Sequence, residues 1–148
     1  MSEDEKLNLI IEALRANQPE DRMNIDVSTV RYALYARKST LDEDKQVRSI
    51  KDQITECTEK VILPNDIKII RIYQESASAK ESGARVEFGR LVDDIKAGRI
   101  DGLIAWHPDR LSRNMKDAGE IIDMLDRGLL RDLKFATFHF ENNTAGKM

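Results

Sequence analysis

Four short apolar runs recur along the chain, and a stretch with helical periodicity separates each from the next. The runs are VRYALYARKS (30–39), IKIIRIY (67–73), GLIAW (102–106) and LKFATFHF (133–140). In the first, Tyr32, Leu34 and Ala36 alternate with Ala33, Tyr35 and Arg37, the two-residue period of a strand. Residues 46–61 instead place Val47, Ile50, Ile54, Cys57 and Val61 on one helical face, which Pro64 and Asn65 end. Residues 85–97 form a second such helix, with Phe88, Leu91, Val92 and Ile95 inward and Gly98 as its stop, and residues 115–130 a third. Alternating strands and helices predict an α/β fold, a parallel-rich central sheet of about four strands flanked by helices. In open sheets of this kind, ligands sit off the carboxyl ends of the strands.

Residues 4–16 carry Leu7, Ile10, Ile11 and Leu14 at helical spacing, and residues 17–29 read as a linker. The expected division is therefore an N-terminal extension with one extra helix, 1–29, and a domain over 30–148. A chain of 148 residues with 41% apolar and 34% charged residues suits one soluble domain. No apolar run approaches the roughly 20 residues of a membrane span. The acidic start, MSEDEK, lacks the layout of a secretory signal. The single cysteine, Cys57, excludes an internal disulfide framework and argues for a reducing compartment. It falls on the apolar helix face, as an inert core thiol would. No His, Cys or acidic cluster has metal-ligand spacing. A net charge of −3 argues against a nucleic-acid partner when summed over the chain. The placement of charge outweighs its sum, however, because a basic cleft can sit on an acidic body.

The first strand ends at Arg37-Lys38-Ser39, and the third leads into His107-Pro108-Asp109-Arg110-Leu111-Ser112-Arg113. Arg85 opens the helix after the second strand. The expected fold gathers these points on one rim, where the Ser39 hydroxyl faces Arg37, Arg85, Arg110 and Arg113. Guanidinium forks match phosphate oxygens and stay charged at any working pH. Preorganised cations also stabilise the charge that builds up during phosphoryl transfer. They favour the alkoxide of Ser39 as well. Asp109 is placed to orient guanidiniums or to protonate a leaving oxygen.

Each residue also has a plainer reading. A serine after a strand is usually a turn or cap residue. Arg110 and Arg113 can be surface partners of Asp109 and Asp117. Arg85 can be solvated, although a cation in a first helical turn opposes the helix dipole. Tyr35 and Trp106 read as packed strand aromatics, and His107 as a structural or exposed histidine. Asp93, Asp94 and Asp101 read as solvated charges, and Gln53 taken alone reads as surface.

Tyr35-x-Arg37-x-Ser39 resembles the opening motif of the resolvase/invertase, or serine recombinase, catalytic domain. Asp109-Arg110-Leu111-Ser112-Arg113 resembles its Asp-Arg-Leu-x-Arg motif. Arg85 with Phe88 and Leu91 resembles its Arg-Pro-x-Phe-x-x-Leu segment, with Val86 in place of proline. Ser49 and Gln53 resemble its Ser-x-x-x-Gln helix, and Glu75 matches an acidic position near the second strand end. The agreement runs in order from Val30, and the longer stretch after Ser39 is similar to that of large serine recombinases and phage or transposon integrases. The resemblance implies a site-specific DNA recombinase. Ser39 would attack the scissile phosphate and leave a 5′-phosphoserine link and a free 3′-hydroxyl, and strands would rejoin after exchange. Arg37, Arg85, Arg110 and Arg113 would hold or activate the phosphate, with Gln53 and Asp109 in support. The implied partners are double-stranded DNA and further copies of the protein, as a dimer and a synaptic tetramer, with no membrane. Neither a metal nor another cofactor is implied. The implied location is the prokaryotic cytoplasm, at the nucleoid. The dimer helix and DNA-binding region of the family are expected beyond residue 148.

Two other readings stand beside this one. A non-catalytic DNA- or partner-binding relative would keep the fold and the cations but would not need the serine. A nucleotide-binding α/β domain would need a glycine-rich phosphate loop after a strand, and none is present.

Overall fold

A computed structural model describes residues 2–16, 25–38, 49–75, 86–112 and 114–137. Ser39, Arg85 and Arg113 lie outside the described residues, as do Val47 and residues 76–84. The elements run in the order α1 (Glu3–Ala16), β1 (Tyr32–Arg37), α2 (Ile50–Cys57), β2 (Ile69–Glu75), α3 (Val86–Lys96), β3 (Gly102–Ala105), α4 (Pro108–Leu111), α5 (Met115–Asp126) and β4 (Asp132–Phe135). A 3-10 turn at Val27–Thr29 leads into β1, and α2 continues as a π-helical segment, Thr58–Ile62.

The four strands form one parallel sheet in the order β2-β1-β3-β4. All six residues of β1 are buried, as expected of a central strand covered on both faces. Its alternation sends Ala33 and Tyr35 into one core and Tyr32 and Leu34 into the other. The larger core joins the first pair to Leu91, Ile95, Leu103, Leu111, Ile121 and Leu133 from β3, β4 and three helices. The smaller joins the second pair to Cys57, Val61, Ile62 and Ile104. Burial pushes the Cys57 thiol up to about 12, consistent with an inert core cysteine.

Helix α1 is part of this domain's core. Ile10 and Leu14 are buried in the larger cluster, and α1 lies against α5 and α4. The helix expected at 4–16 is present, and its apolar stripe serves as core.

Helices α3 and α5 end in turns whose glycines, Gly98 and Gly128, have φ of 82° and 78°. This left-handed backbone favours glycine and ends α5 at Asp126, short of the expected residue 130. At the amino ends of the strands, the Tyr32 hydroxyl donates to the fully buried Asp132, which also lies 3.3 Å from Lys134 Nζ. Asp101 is not a solvated charge. It is 8% exposed, accepts from the Arg31 amide at 2.6 Å and pairs with the Arg31 guanidinium at 3.1 Å. Asp94 likewise accepts from the buried Tyr73 hydroxyl and pairs with Arg71 and Arg99, whereas Asp93 is exposed as expected. Among the described residues, no helix is long and apolar enough to cross a membrane.

Candidate active site

Parallel pairing sets the carboxyl ends of β1, β2 and β3 side by side. Arg37, the last residue of β1, is in register with Glu75, the last of β2. Tyr35 is in register with Ala105, the last residue of β3. The chain then leaves β3 through Trp106 and His107 into the single turn of α4, which carries Asp109 and Arg110. His107 makes this turn possible: it is the cap residue of the helical turn, still extended in backbone, and its Nδ1 accepts the Asp109 amide at 3.1 Å. Pro108 at the first helical position removes an amide that would have no helical partner.

Arg37 bridges the two rim segments. Its Nε donates to the Arg110 carbonyl at 3.3 Å, and its Nη2 donates to the Asp109 carbonyl. Gln53 holds the other side of Arg37. Its Nε2 donates to the Arg37 carbonyl at 2.9 Å, and its Oε1 accepts the Arg37 amide at 3.3 Å. At 1% exposed, Gln53 substitutes for a neighbouring strand at the point where β1 has lost one. Its reading as a surface residue is thereby corrected.

Glu75 is 4% exposed and takes three hydrogen bonds among the described residues. The Tyr35 hydroxyl donates to its Oε1 at 3.0 Å. The Phe88 amide donates to Oε1 at 3.0 Å and the Glu87 amide to Oε2 at 3.2 Å. The carboxylate thus caps α3 and supplies the negative charge that its N-terminus favours. Tyr35 is packed as expected, edge-on to Phe88 with ring centroids 5.9 Å apart.

Arg110 is 6% exposed, so it is not the surface ion-pair partner of the plainer reading. Its Nη1 donates to Asp109 Oδ1 at 3.0 Å, and its Cζ lies 5.2 Å from the centre of the Trp106 ring. Arg110 Nε is buried without a hydrogen-bond partner among the described residues, and so is Ser112 Oγ. Trp106 is not fully core: it is partly buried, with its indole N–H donated to Glu56 on α2. Burial alone would raise the Asp109 carboxyl. The His107 hydrogen bond and the charges of Arg110 and Arg37 outweigh it and hold the group below the usual carboxylate range. The ionised form of Asp109 is thereby favoured, the form that pairs with the Arg110 guanidinium.

Of the expected site residues, the structure brings together Arg37, Gln53, Asp109 and Arg110. Trp106, as a support for Arg110, escaped sequence reading. The signal was its place four residues before Arg110 in a run that turns from apolar to charged.

Residues 32–148 match the family model of the resolvase N-terminal domain. The chain belongs to this family. Among curated proteins, a "Putative DNA recombinase" of Bacillus subtilis (strain 168) is 29% identical over 116 residues. The match covers 78% of this chain and 22% of that protein, so the chain spans about a fifth of its relative's length. Among solved structures, the N-terminal catalytic domain of TP901-1 integrase superposes with a TM-score of 0.58 at 23% identity, over 72% of this chain and 78% of that one. A resolvase family site-specific recombinase from Streptococcus pneumoniae gives 0.55 at 20% identity, over 73% and 72%. The C-terminal catalytic domain of ISC1926 TnpA, an IS607-like serine recombinase, gives 0.54 at 21% identity, over 80% and 74%. These likenesses establish the resolvase-like fold expected from the alternation of elements.

Proposed function

We propose that this resolvase-family domain is the catalytic domain of a site-specific DNA recombinase, with Ser39 as nucleophile. The observation that carries the reading is the convergence of Arg37 and Arg110, from two strand ends, on one carboxyl rim. Arg37 leads directly to Lys38 and Ser39, and Arg110 to Leu111, Ser112 and Arg113. The family motifs therefore meet where phosphate chemistry on such a sheet belongs.

In this reading the Ser39 hydroxyl gives up its proton as its oxygen attacks a backbone phosphorus of double-stranded DNA, so the proton lost here balances the one taken up by the leaving oxygen. A phosphoserine ester forms to the 5′ end, and the bond to the 3′ oxygen breaks. That oxygen takes up a proton and leaves as a hydroxyl. One phosphoester replaces another, so the bond energy is kept and the hydroxyl of an exchanged strand can reverse the step. Arg37, Arg85, Arg110 and Arg113 hold the phosphate and offset its developing charge. Gln53 fixes the backbone of Arg37, and the ionised Asp109 orients Arg110. The protein acts as a dimer that pairs into a synaptic tetramer, with the catalytic residues within 30–148 and α1 packed into the same core. Its setting is the nucleoid of a prokaryotic cell.

The test uses the protein with DNA carrying its own recombination site, nicked beside the scissile phosphate so that the intermediate is trapped. The expected result is a covalent protein–DNA adduct at the 5′ end that Ser39→Ala abolishes. Equal behaviour of wild type and Ser39→Ala would reject the catalytic role and favour a DNA- or partner-binding relative.

A further inference from the structure

The buried guanidinium of Arg110 has two kinds of support that the family motif does not contain. One is Trp106, whose ring centre lies 5.2 Å from Arg110 Cζ. The other acts through that ring: Trp106 Nε1 donates to Glu56 Oε1 on α2, and Glu56 Oε2 lies 3.2 Å from Lys60 Nζ. Helix α2 is thereby tied to the turn after β3 through one indole. On its other side Arg110 is bound to Asp109, while its Nε remains buried and unspent among the described residues.

We propose that Trp106, held by Glu56, is a positioning residue that sets the plane of the Arg110 guanidinium for a phosphate. Arginine on a flexible stem has many rotamers, and a ring face beneath the guanidinium removes most of them. An anionic acceptor on the indole N–H adds electron density to the ring face and strengthens its hold on a cation. The arrangement leaves the Arg110 Nε–H unspent among the described residues, a donor for an incoming oxyanion. A tryptophan serving only as core would be fully buried among apolar groups. This one is partly exposed, faces a cation and donates to a carboxylate.

The inference rests on the phosphoryl-transfer reading, and its test keeps the two apart. The variants are Trp106→Phe, which keeps a ring without the N–H, Trp106→Leu, which removes the ring, and Glu56→Gln, which keeps an acceptor without the charge. The first readout needs no DNA. The Arg110 Nε–H resonance, assigned by its loss in Arg110→Lys, is expected to be shifted upfield by the indole ring current. The shift should shrink in Trp106→Phe and vanish in Trp106→Leu. The second readout is the rate of adduct formation at saturating nicked DNA. A decrease of about 5- to 30-fold is expected in Trp106→Leu, with smaller decreases in Trp106→Phe and Glu56→Gln. The DNA concentration giving half-saturation should stay within about twofold, because the many other backbone contacts set affinity. If Trp106→Leu does not fold, the two milder variants decide. A wild type with no Ser39-dependent adduct would defeat the recombinase reading, and the resonance would still judge the placement of Arg110. A Ser39-dependent adduct formed at wild-type rate by the Trp106 and Glu56 variants would overturn the inference, as would an unshifted resonance in wild type.

Discussion

Replacing Glu75 tests whether the rim is held together by the capping of α3. Its two carboxylate oxygens receive the Tyr35 hydroxyl and the Phe88 and Glu87 amides at 3.0, 3.0 and 3.2 Å. In Glu75→Gln the amide oxygen can keep the first two donors, but its NH2 then meets the Glu87 N–H. Glu87 is only partly buried, so water can reach that amide and the loss lies toward the low end of the ~1–3 kcal/mol for an unpaired group. Removing a negative charge from the helix N-terminus adds about 0.3–1 kcal/mol. The sum is about 1–3 kcal/mol. Glu75→Ala strands all three donors and opens a cavity, which together cost at least about 3 kcal/mol. That is a large share of the roughly 5–15 kcal/mol that holds a domain together. Urea unfolding of the three proteins, fitted with a common slope, measures both differences. The expected order is wild type, Gln, Ala, and the Gln variant should melt about 2–10 °C below wild type. If both variants fall within about 0.5 kcal/mol of wild type, the capping argument is wrong and α3 is positioned by its apolar face alone.

Leu14→Ala removes a fully buried side chain from the larger core, so it should cost about 2–5 kcal/mol in chemical unfolding. A loss below about 0.5 kcal/mol would show that α1 is not part of the cooperative unit. Cys57, with its thiol pushed up to about 12, should resist iodoacetamide in the folded protein at mildly alkaline pH and react on unfolding. Rapid labelling without denaturant would contradict its burial. Asp109 is held below its ordinary value of 3.8, so its contribution is present above that value and lost as pH falls through the folded-state value. The stability gap between wild type and Asp109→Asn should therefore be open at neutral pH and close on acidification. A gap that stays constant down the acid range would refute the assignment.

The pattern of apolar runs was sufficient to read the sheet, because strands buried on both faces and helices with one apolar stripe leave distinct periods. Arg37, Asp109 and Arg110 were legible as a site because parallel strands must end on the same side. What escaped were arrangements that depend on a particular partner far along the chain. Gln53 looks like any polar residue on a helix until the amide and carbonyl of Arg37, 16 residues away, are set opposite it. Asp101 reads as solvated until β1 brings Arg31 alongside, 70 residues distant in the chain. The short helix Pro108–Leu111 has too few residues to show a period, although His107-Pro108 carries the cap and the favoured first residue. The π-helical continuation at Thr58–Ile62 leaves no signal in hydrophobic spacing.

The two rims of the sheet differ in how freely they can change. On the amino side, α3 and α5 return to β3 and β4 through tight glycine turns, and charged pairs clamp Arg31 and Arg131 to Asp101. An added residue there would shift a strand along its neighbour and turn its side chains toward the wrong layer. On the carboxyl side, the sequence runs 12 residues from β1 to α2 and 10 from β2 to α3, and the entropy cost of closing a connection grows only slowly with its length. Variation in this architecture is thereby channelled toward the end that bears Arg37 and Arg110, while the scaffold beneath stays the same.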